Sequence, residues 1–174
     1  MAGRPEWQTL VRPQEIGRRH HVADFTCGKD ALDDYLKRRA YRANAARDAR
    51  VFVTCNADNE VMGYYTISAA SVSRRDASSV LRRNAPDPIP MALIGRFAVH
   101  TIMQGRNLGR ALLRDAILRI SQASDLIGIK GIFLHAMDED ARQFYLHLGF
   151  QESLLDDKLM MVRLADVAAE LSGG

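Results

Sequence analysis

The decisive stretch is Gln104-Gly105-Arg106-Asn107-Leu108-Gly109-Arg110, preceded by Arg96-Phe97-Ala98-Val99. Ala92–Val99 is apolar apart from Arg96 and reads as a largely buried strand, and Leu108 to about Leu126 reads as a long helix that Gly128 stops. A strand therefore ends, a glycine-bearing basic loop turns, and a helix begins. The first amides of a helix have no partner within it and the helix dipole is positive there, so such a junction binds anions. Glycine lets the backbone come close to a phosphate, and Arg106 and Arg110 add charge. Read alone, the stretch fits either a pyrophosphate cradle or an ordinary basic helix start.

Working outward, a first short strand is expected near Gln14–Gly17. A helix opens at Lys29-Asp30, with Asp30 as cap and Asp33 and Asp34 in the first turn, where carboxylates meet the positive dipole end. Leu32, Leu36, Ala40 and Ala43 make its buried stripe, and Lys37, Arg38, Arg39, Arg42 and Arg47 load its later turns. Val51–Thr54 and Val61–Ile67 form a hairpin about the turn residues Asn56–Asn59. Residues 72–90 are a basic connection with a short helix around Ser78–Arg83, ending in Pro86-Asp87-Pro88-Ile89-Pro90, which argues against regular structure. Gly131–Ala136 is a strand, Asp140–Leu148 a helix closed by Gly149, and Lys158–Arg163 a last strand. The order β-α-β-β-β-α-β-α-β is mixed α/β.

The chain has 174 residues, which suits one domain. Its tails, residues 1–10 and 165–174, read as flexible or partner-binding. The hydrophobic fraction of 47% supports a core, and no apolar run reaches the ~18–20 residues needed to span a membrane. The start of the chain lacks the apolar centre of a signal peptide, so a cytoplasmic location is expected. The net charge of +3 is modest but unevenly placed. Arg74, Arg75, Arg82, Arg83, Arg96, Arg106 and Arg110 face only Asp76 and Asp87 within residues 74–110. Such a segment suits either a polyanion or plain solvent. Cys27 and Cys55 have neither metal-site nor disulfide-framework spacing and read as buried thiols. His21 and His100 read as surface residues, and no cluster suggests a metal.

The loop resembles the acetyl-CoA loop of GNAT acetyltransferases, [QR]-x-x-G-x-[GA], with Asn107 in place of the central glycine. Asn is the other residue that readily takes positive φ. Downstream, Asp138-Glu139-Asp140-Ala141-Arg142-Gln143-Phe144-Tyr145 resembles the family's N-x-x-A-x-x-F-Y stretch, and Leu148-Gly149-Phe150 its x-G-F ending. Asp138 stands where Asn is usual. The resemblance implies the GNAT fold: a mixed, mostly antiparallel twisted sheet flanked by helices. It also implies that Phe97, Ala98, Val99, Gln104, Gly105, Arg106, Asn107, Leu108, Gly109, Arg110 and Asp138 meet acetyl-CoA.

Phe25-Thr26-Cys27-Gly28 leading into Leu32-Asp33-Asp34-Tyr35-Leu36, with Gly63-Tyr64-Tyr65 and Leu93–Val99, resembles the GNAT toxins of bacterial toxin–antitoxin modules, the TacT/AtaT type. The similarity runs over residues 10–163. It implies acetylation of the α-amine of aminoacyl-tRNA, a homodimer, and an antitoxin of the ribbon-helix-helix class. It further implies that Tyr145 is the acid which protonates the leaving thiolate. Arg74, Arg75, Arg82 and Arg83 read as tracking tRNA phosphates or as a solvated loop, Arg96 as facing either tRNA or the cofactor, and Cys27, Asp33 and Asp34 as helix start and packing. A peptide-type α-amine titrates near ~8 against ~10.4 for lysine, so an α-amine acceptor needs less help from a base. Two alternatives remain: an acetyltransferase for a protein N-terminus or small amine, and a non-catalytic module that binds CoA or a partner.

Overall fold

The computed structural model describes residues 10–167; most of each expected tail, residues 1–9 and 168–174, lies outside the described residues. The elements are β1 (Gln14–Glu15), α1 (Asp30–Arg38), α2 (Ala40–Ala46), β2 (Arg50–Cys55), β3 (Val61–Val72), α3 (Ser79–Arg82), β4 (Ile89–Val99), α4 (Leu108–Ala123), β5 (Gly131–His135), α5 (Glu139–His147), β6 (Gln151–Glu152) and β7 (Leu159–Arg163). The strands form one sheet in the order β1-β2-β3-β4-β5-β7-β6. β4 and β5 are parallel, whereas β1–β2, β2–β3, β5–β7 and β6–β7 are antiparallel. This is the mixed, mostly antiparallel sheet with flanking helices that the sequence predicts. The chain folds as two compact units: the part up to Ile67 with Arg96–Ala116, and Ser68–Gly95 with Ile117 onward.

In the first unit, Ile16, Phe25, Leu32, Tyr35, Leu36, Val51, Val53, Val61, Tyr64 and Ala98 share one core. Asn44, buried on α2, ties three elements together. Its Nδ2 donates to Glu15 at 2.8 Å and its Oδ1 accepts the Val51 amide at 3.1 Å. The expected single N-terminal helix breaks at Arg39, giving α1 and α2. Lys29, not Asp30, stands at the N-cap, and Asp33, in the first turn as expected, accepts the Cys27 amide at 2.9 Å. Gly63 lets β3 and α4 approach closely. A Cβ there would lie 2.7 Å from Cδ1 of Leu112, so a larger residue would force that buried side chain to shift.

In the second unit, Val72, Ala77, Leu81, Ile89, Met91, Phe133 and Met161 make the core. The short helix expected around Ser78–Arg83 is α3, with Ser78 as its N-cap. The proline-rich stretch does not stay irregular, because β4 starts at Ile89. Pro90 lacks an amide hydrogen, but its carbonyl accepts the Lys130 amide at 2.9 Å, which suffices at a strand start. A Cβ on Gly131 would lie 2.6 Å from the Val162 carbonyl oxygen. The long helix ends at Ala123, short of Gly128, as Ser124 Oγ turns back to the Ser121 carbonyl at 2.6 Å.

Candidate active site

The loop of the first unit is built from the end of β4. Thr101–Met103 make one 3-10 turn, capped by His100 Nδ1, which accepts the Ile102 amide at 3.3 Å. Gln104 then reaches back, its Nε2 donating to the Val99 and Cys27 carbonyls at 2.9 Å each. Gly105 and Asn107 both take positive φ, 77° and 65°, and the Asn107 carbonyl accepts the Ala111 amide in the first turn of α4. Asn107 thus fills the family's glycine position in the conformation glycine would adopt. Gln104, Gly105, Arg106, Asn107 and Arg110 are exposed, whereas Leu108 is buried and anchors the helix. Two positive-φ residues, two arginines and the start of a 16-residue helix form a surface suited to a pyrophosphate.

On β4 itself, the register with β5 pairs Met91–Leu93 with Gly131–Phe133. Phe97, Ala98 and Val99 lie beyond it. Arg96 lies within β4; its amide donates to Thr66 Oγ1 at 3.0 Å and its guanidinium sits 3.8 Å from the centre of the Tyr35 ring. Tyr35 in turn stacks on Tyr64, whose hydroxyl donates to the Leu32 carbonyl at 2.6 Å. Phe25 meets Tyr64 and His100 edge-on. The Phe25–Gly28 segment is therefore a packing element, with Gly28 at φ 91°.

In the second unit, Asp138 is the N-cap of α5 and accepts the Ala141 amide at 2.8 Å. Asp and Asn cap equally well, so this role survives the departure from the family pattern. Tyr145, 6% exposed, is wedged between Phe144 and Phe150 with ring centres 5.2 and 5.5 Å away. Its carbonyl accepts the amides of Leu148 and Phe150, so the turn at Gly149 (φ 94°) clamps it. Among the described residues no side chain or backbone group hydrogen-bonds its hydroxyl, and burial pushes its pKa above the ordinary tyrosine value.

The basic connection behaves unevenly. Arg82 is a staple, donating from Nε to the Arg74 carbonyl at 2.8 Å and from a terminal nitrogen to the Arg75 carbonyl at 3.1 Å. Arg74, Arg75 and Arg83 are exposed. Cys55 is buried as expected, but Cys27 is half-buried, and His100 is buried, not on the surface, because it caps the 3-10 turn. No group among the described residues could hold a metal ion. No helix among them is long and apolar enough to cross a membrane. Two contacts escape a motif-based reading: the Arg96–Tyr35 stack and the Gln104 tie. Both join residues far apart in sequence, and neither leaves a local pattern.

Residues 47–152 match the family described as Acetyltransferase (GNAT) domain. The chain belongs to the GNAT acetyltransferases, and among them to the toxins. It is 43% identical over 157 residues to the "tRNA-acetylating toxin" of Mycobacterium tuberculosis (strain ATCC 25618 / H37Rv), covering 90% of this chain and 94% of the relative. It is 32% identical over 161 residues to "Probable toxin TacT" of Sinorhizobium fredii (strain NBRC 101917 / NGR234), covering 87% and 88%. The fold matches the crystal structure of a tyrosine-to-phenylalanine mutant of KacT with a TM-score of 0.87 at 26% identity, over 94% of this chain and 99% of that one. It matches AtaTR bound with AcCoA with a TM-score of 0.79 at 25% identity, over 94% and 98%. AtaT complexed with acetyl-methionyl-tRNAfMet shares the fold, with a TM-score of 0.85 at 24% identity over 92% and 98%.

Proposed function

We propose that the chain is a single-domain toxin N-acetyltransferase that moves the acetyl group of acetyl-CoA to the α-amine of aminoacyl-tRNA, so that the charged tRNA is lost to translation, and that a cognate antitoxin neutralises it. The observation that carries this reading is the 43% identity, over 94% of its length, to a tRNA-acetylating toxin. The site chemistry agrees. The Gln104–Arg110 loop offers positive-φ backbone, two cations and a helix start to the CoA pyrophosphate. Backbone amides of Phe97–Val99 polarise the thioester carbonyl and hold the developing oxyanion.

The neutral amine attacks the thioester carbon, a C–N bond forms and the C–S bond breaks. The sulfur leaves with the bonding pair and takes the proton of the Tyr145 hydroxyl, while the nitrogen sheds its extra proton to water, which restores the tyrosine. Burial keeps Tyr145 protonated at neutral pH, as an acid must be. An α-amine near ~8 supplies enough neutral nucleophile without a strong base. A homodimer, a ribbon-helix-helix antitoxin and action in the cytoplasm, where charged tRNA is found, complete the reading.

The test is acetylation of total charged tRNA with radiolabelled acetyl-CoA, comparing wild type with Tyr145→Phe. Label on the aminoacyl moiety, lost in the variant, is the expected result. Normal acetyl-CoA binding without label on tRNA would overturn the acceptor and redirect the search to protein N-termini and small amines.

A further inference from the structure

The family pattern around Tyr145 leaves position 142 open, and Glu152 lies beyond its Gly149-Phe150 ending. The fold joins these two residues. Arg142 of α5 donates from one terminal nitrogen to Glu152 of β6 and from the other to Glu139 at 2.9 Å. The same Glu139 oxygen accepts Gln143 Nε2 at 2.9 Å. The side chains of Arg142 and Glu152 are only 25% and 30% exposed. Fully exposed ion pairs contribute little, but one held largely out of water is screened far less.

The pair sits on the element that carries the acid. Arg142 precedes Tyr145 by three residues, which puts both on one face of α5. Glu152 follows Phe150 by two, which puts both on one side of an extended chain. Two rungs therefore join α5 to the strand after it. The inner rung is the Tyr145–Phe150 ring contact beside the Gly149 turn, and the outer one is the Arg142–Glu152 ion pair. β6 is the anchored side. Glu152 pairs with Met160 of β7, the Ser153 amide donates to the Leu159 carbonyl at 2.8 Å, and Ser153 Oγ donates to the Asp76 carbonyl at 2.6 Å. The tip of Tyr145 has no such anchor: no described residue hydrogen-bonds its hydroxyl, so its aim follows from where α5 stands. Arg142 Nε is buried without a hydrogen-bond partner among the described residues. An unpaired buried donor is a cost to folding, so stability alone would favour an apolar side chain here.

Resting on the acid role given to Tyr145 above, we propose that Arg142 and Glu152 are positioning residues, whose ion pair fixes α5 on β6 so that the Tyr145 hydroxyl meets the leaving sulfur. Proton transfer needs hydrogen-bond reach, and a misplacement of ~1 Å can lower a rate ~10²-fold.

The experiment measures kcat and KM for acetylation of charged tRNA, acetyl-CoA affinity and melting temperature. The proteins are wild type, Arg142→Met, Arg142→Lys and Glu152→Gln, each also made in the Tyr145→Phe background. Arg142→Met should lower kcat ~10–10²-fold, with KM, acetyl-CoA affinity and melting temperature little changed. Arg142→Lys keeps the charge but cannot span both carboxylates, so it should retain more activity than Met. Glu152→Gln is nearly isosteric, should also lower kcat, and keeps the test open if the Met variant fails to fold. With Tyr145→Phe there is no hydroxyl left to aim, so Arg142→Met should then change kcat by less than ~twofold. Equal losses in both backgrounds, or a lower melting temperature with unchanged kcat, overturn the proposal and leave the pair a structural brace. Wild type inactive on charged tRNA would instead sink the acceptor reading, and a Tyr145→Phe variant as active as wild type the acid role; either result takes this inference with it.

Discussion

Gln104 and Cys27 are joined by a hydrogen bond of 2.9 Å from the Gln104 Nε2 to the Cys27 carbonyl, and the same nitrogen donates to Val99. One amide group thus holds the loop to the strand before it and to the segment that precedes α1. Gln104→Ala removes both bonds, each worth ~1 kcal/mol in stability. It should weaken acetyl-CoA binding several-fold by loosening the loop. Gln104→Glu should be worse, because an ionised carboxylate only accepts and would face two carbonyl oxygens. Calorimetric acetyl-CoA titration beside thermal melts checks the order wild type, Ala, Glu. A Glu variant that binds like wild type would refute the tie.

Asn107 makes a second prediction. At φ 65° it sits where L-residues other than Asn and Asp are strained. Asn107→Gly should keep both stability and acetyl-CoA affinity, since it restores the residue usual in the family. Asn107→Val should cost ~1–2 kcal/mol and reduce affinity. A valine variant that melts with wild type would show that the loop adopts another conformation in solution.

Where the sequence was legible, the signal was local. The strand–loop–helix around Gln104–Arg110, the short helix around Ser78–Arg83 and the αL stop at Gly149 each rest on a few adjacent residues, and each appears in place. The failures have non-local causes. Nothing adjacent to Arg39 announces the break, which shows in its backbone at φ −122°. Pro90 joins a strand because Lys130 supplies its carbonyl with a donor 40 residues away. His100 looks like a solvent residue until the edge contact with Phe25 and the turn it caps bury it. The site shows the same division: the loop and the F-Y signature could be read off directly, but not the Arg96–Tyr35 stack.

The two thiols should be inert. Burial pushes both Cys27 and Cys55 up to about 11, and for Cys27 the neighbouring Asp33 adds to the effect. A thiol with a raised folded-state pKa favours the protonated form. Its contribution to stability is therefore full below the ordinary value near 9 and fades as pH rises toward 11. At pH 8, labelling of the native protein by iodoacetamide should run at least ~tenfold slower than that of the urea-unfolded chain, since the thiolate is the nucleophile. Rapid labelling of Cys27, the more exposed of the two, would contradict its Asp33 environment.

Tyr145 gives the sharpest test of mechanism. Burial between Phe144 and Phe150 raises its pKa above the ordinary 10, so the acid stays protonated through the whole neutral range. The acceptor amine must be neutral, so kcat/KM should climb with pH through ~8 and then stay level to at least ~10, with no falling limb from this tyrosine. Tyr145→Phe keeps the ring, its packing and the turn clamp, so the melting temperature should hold. It loses only the proton donor, and kcat should fall ~10²–10³-fold while the rising limb stays at the same pH. Acetyl-CoA affinity should be unchanged. A wild-type profile that falls near pH 9 and loses that limb in the Phe variant would mean that the hydroxyl titrates as a solvent-facing phenol, which its position behind Phe144 and Phe150 does not allow.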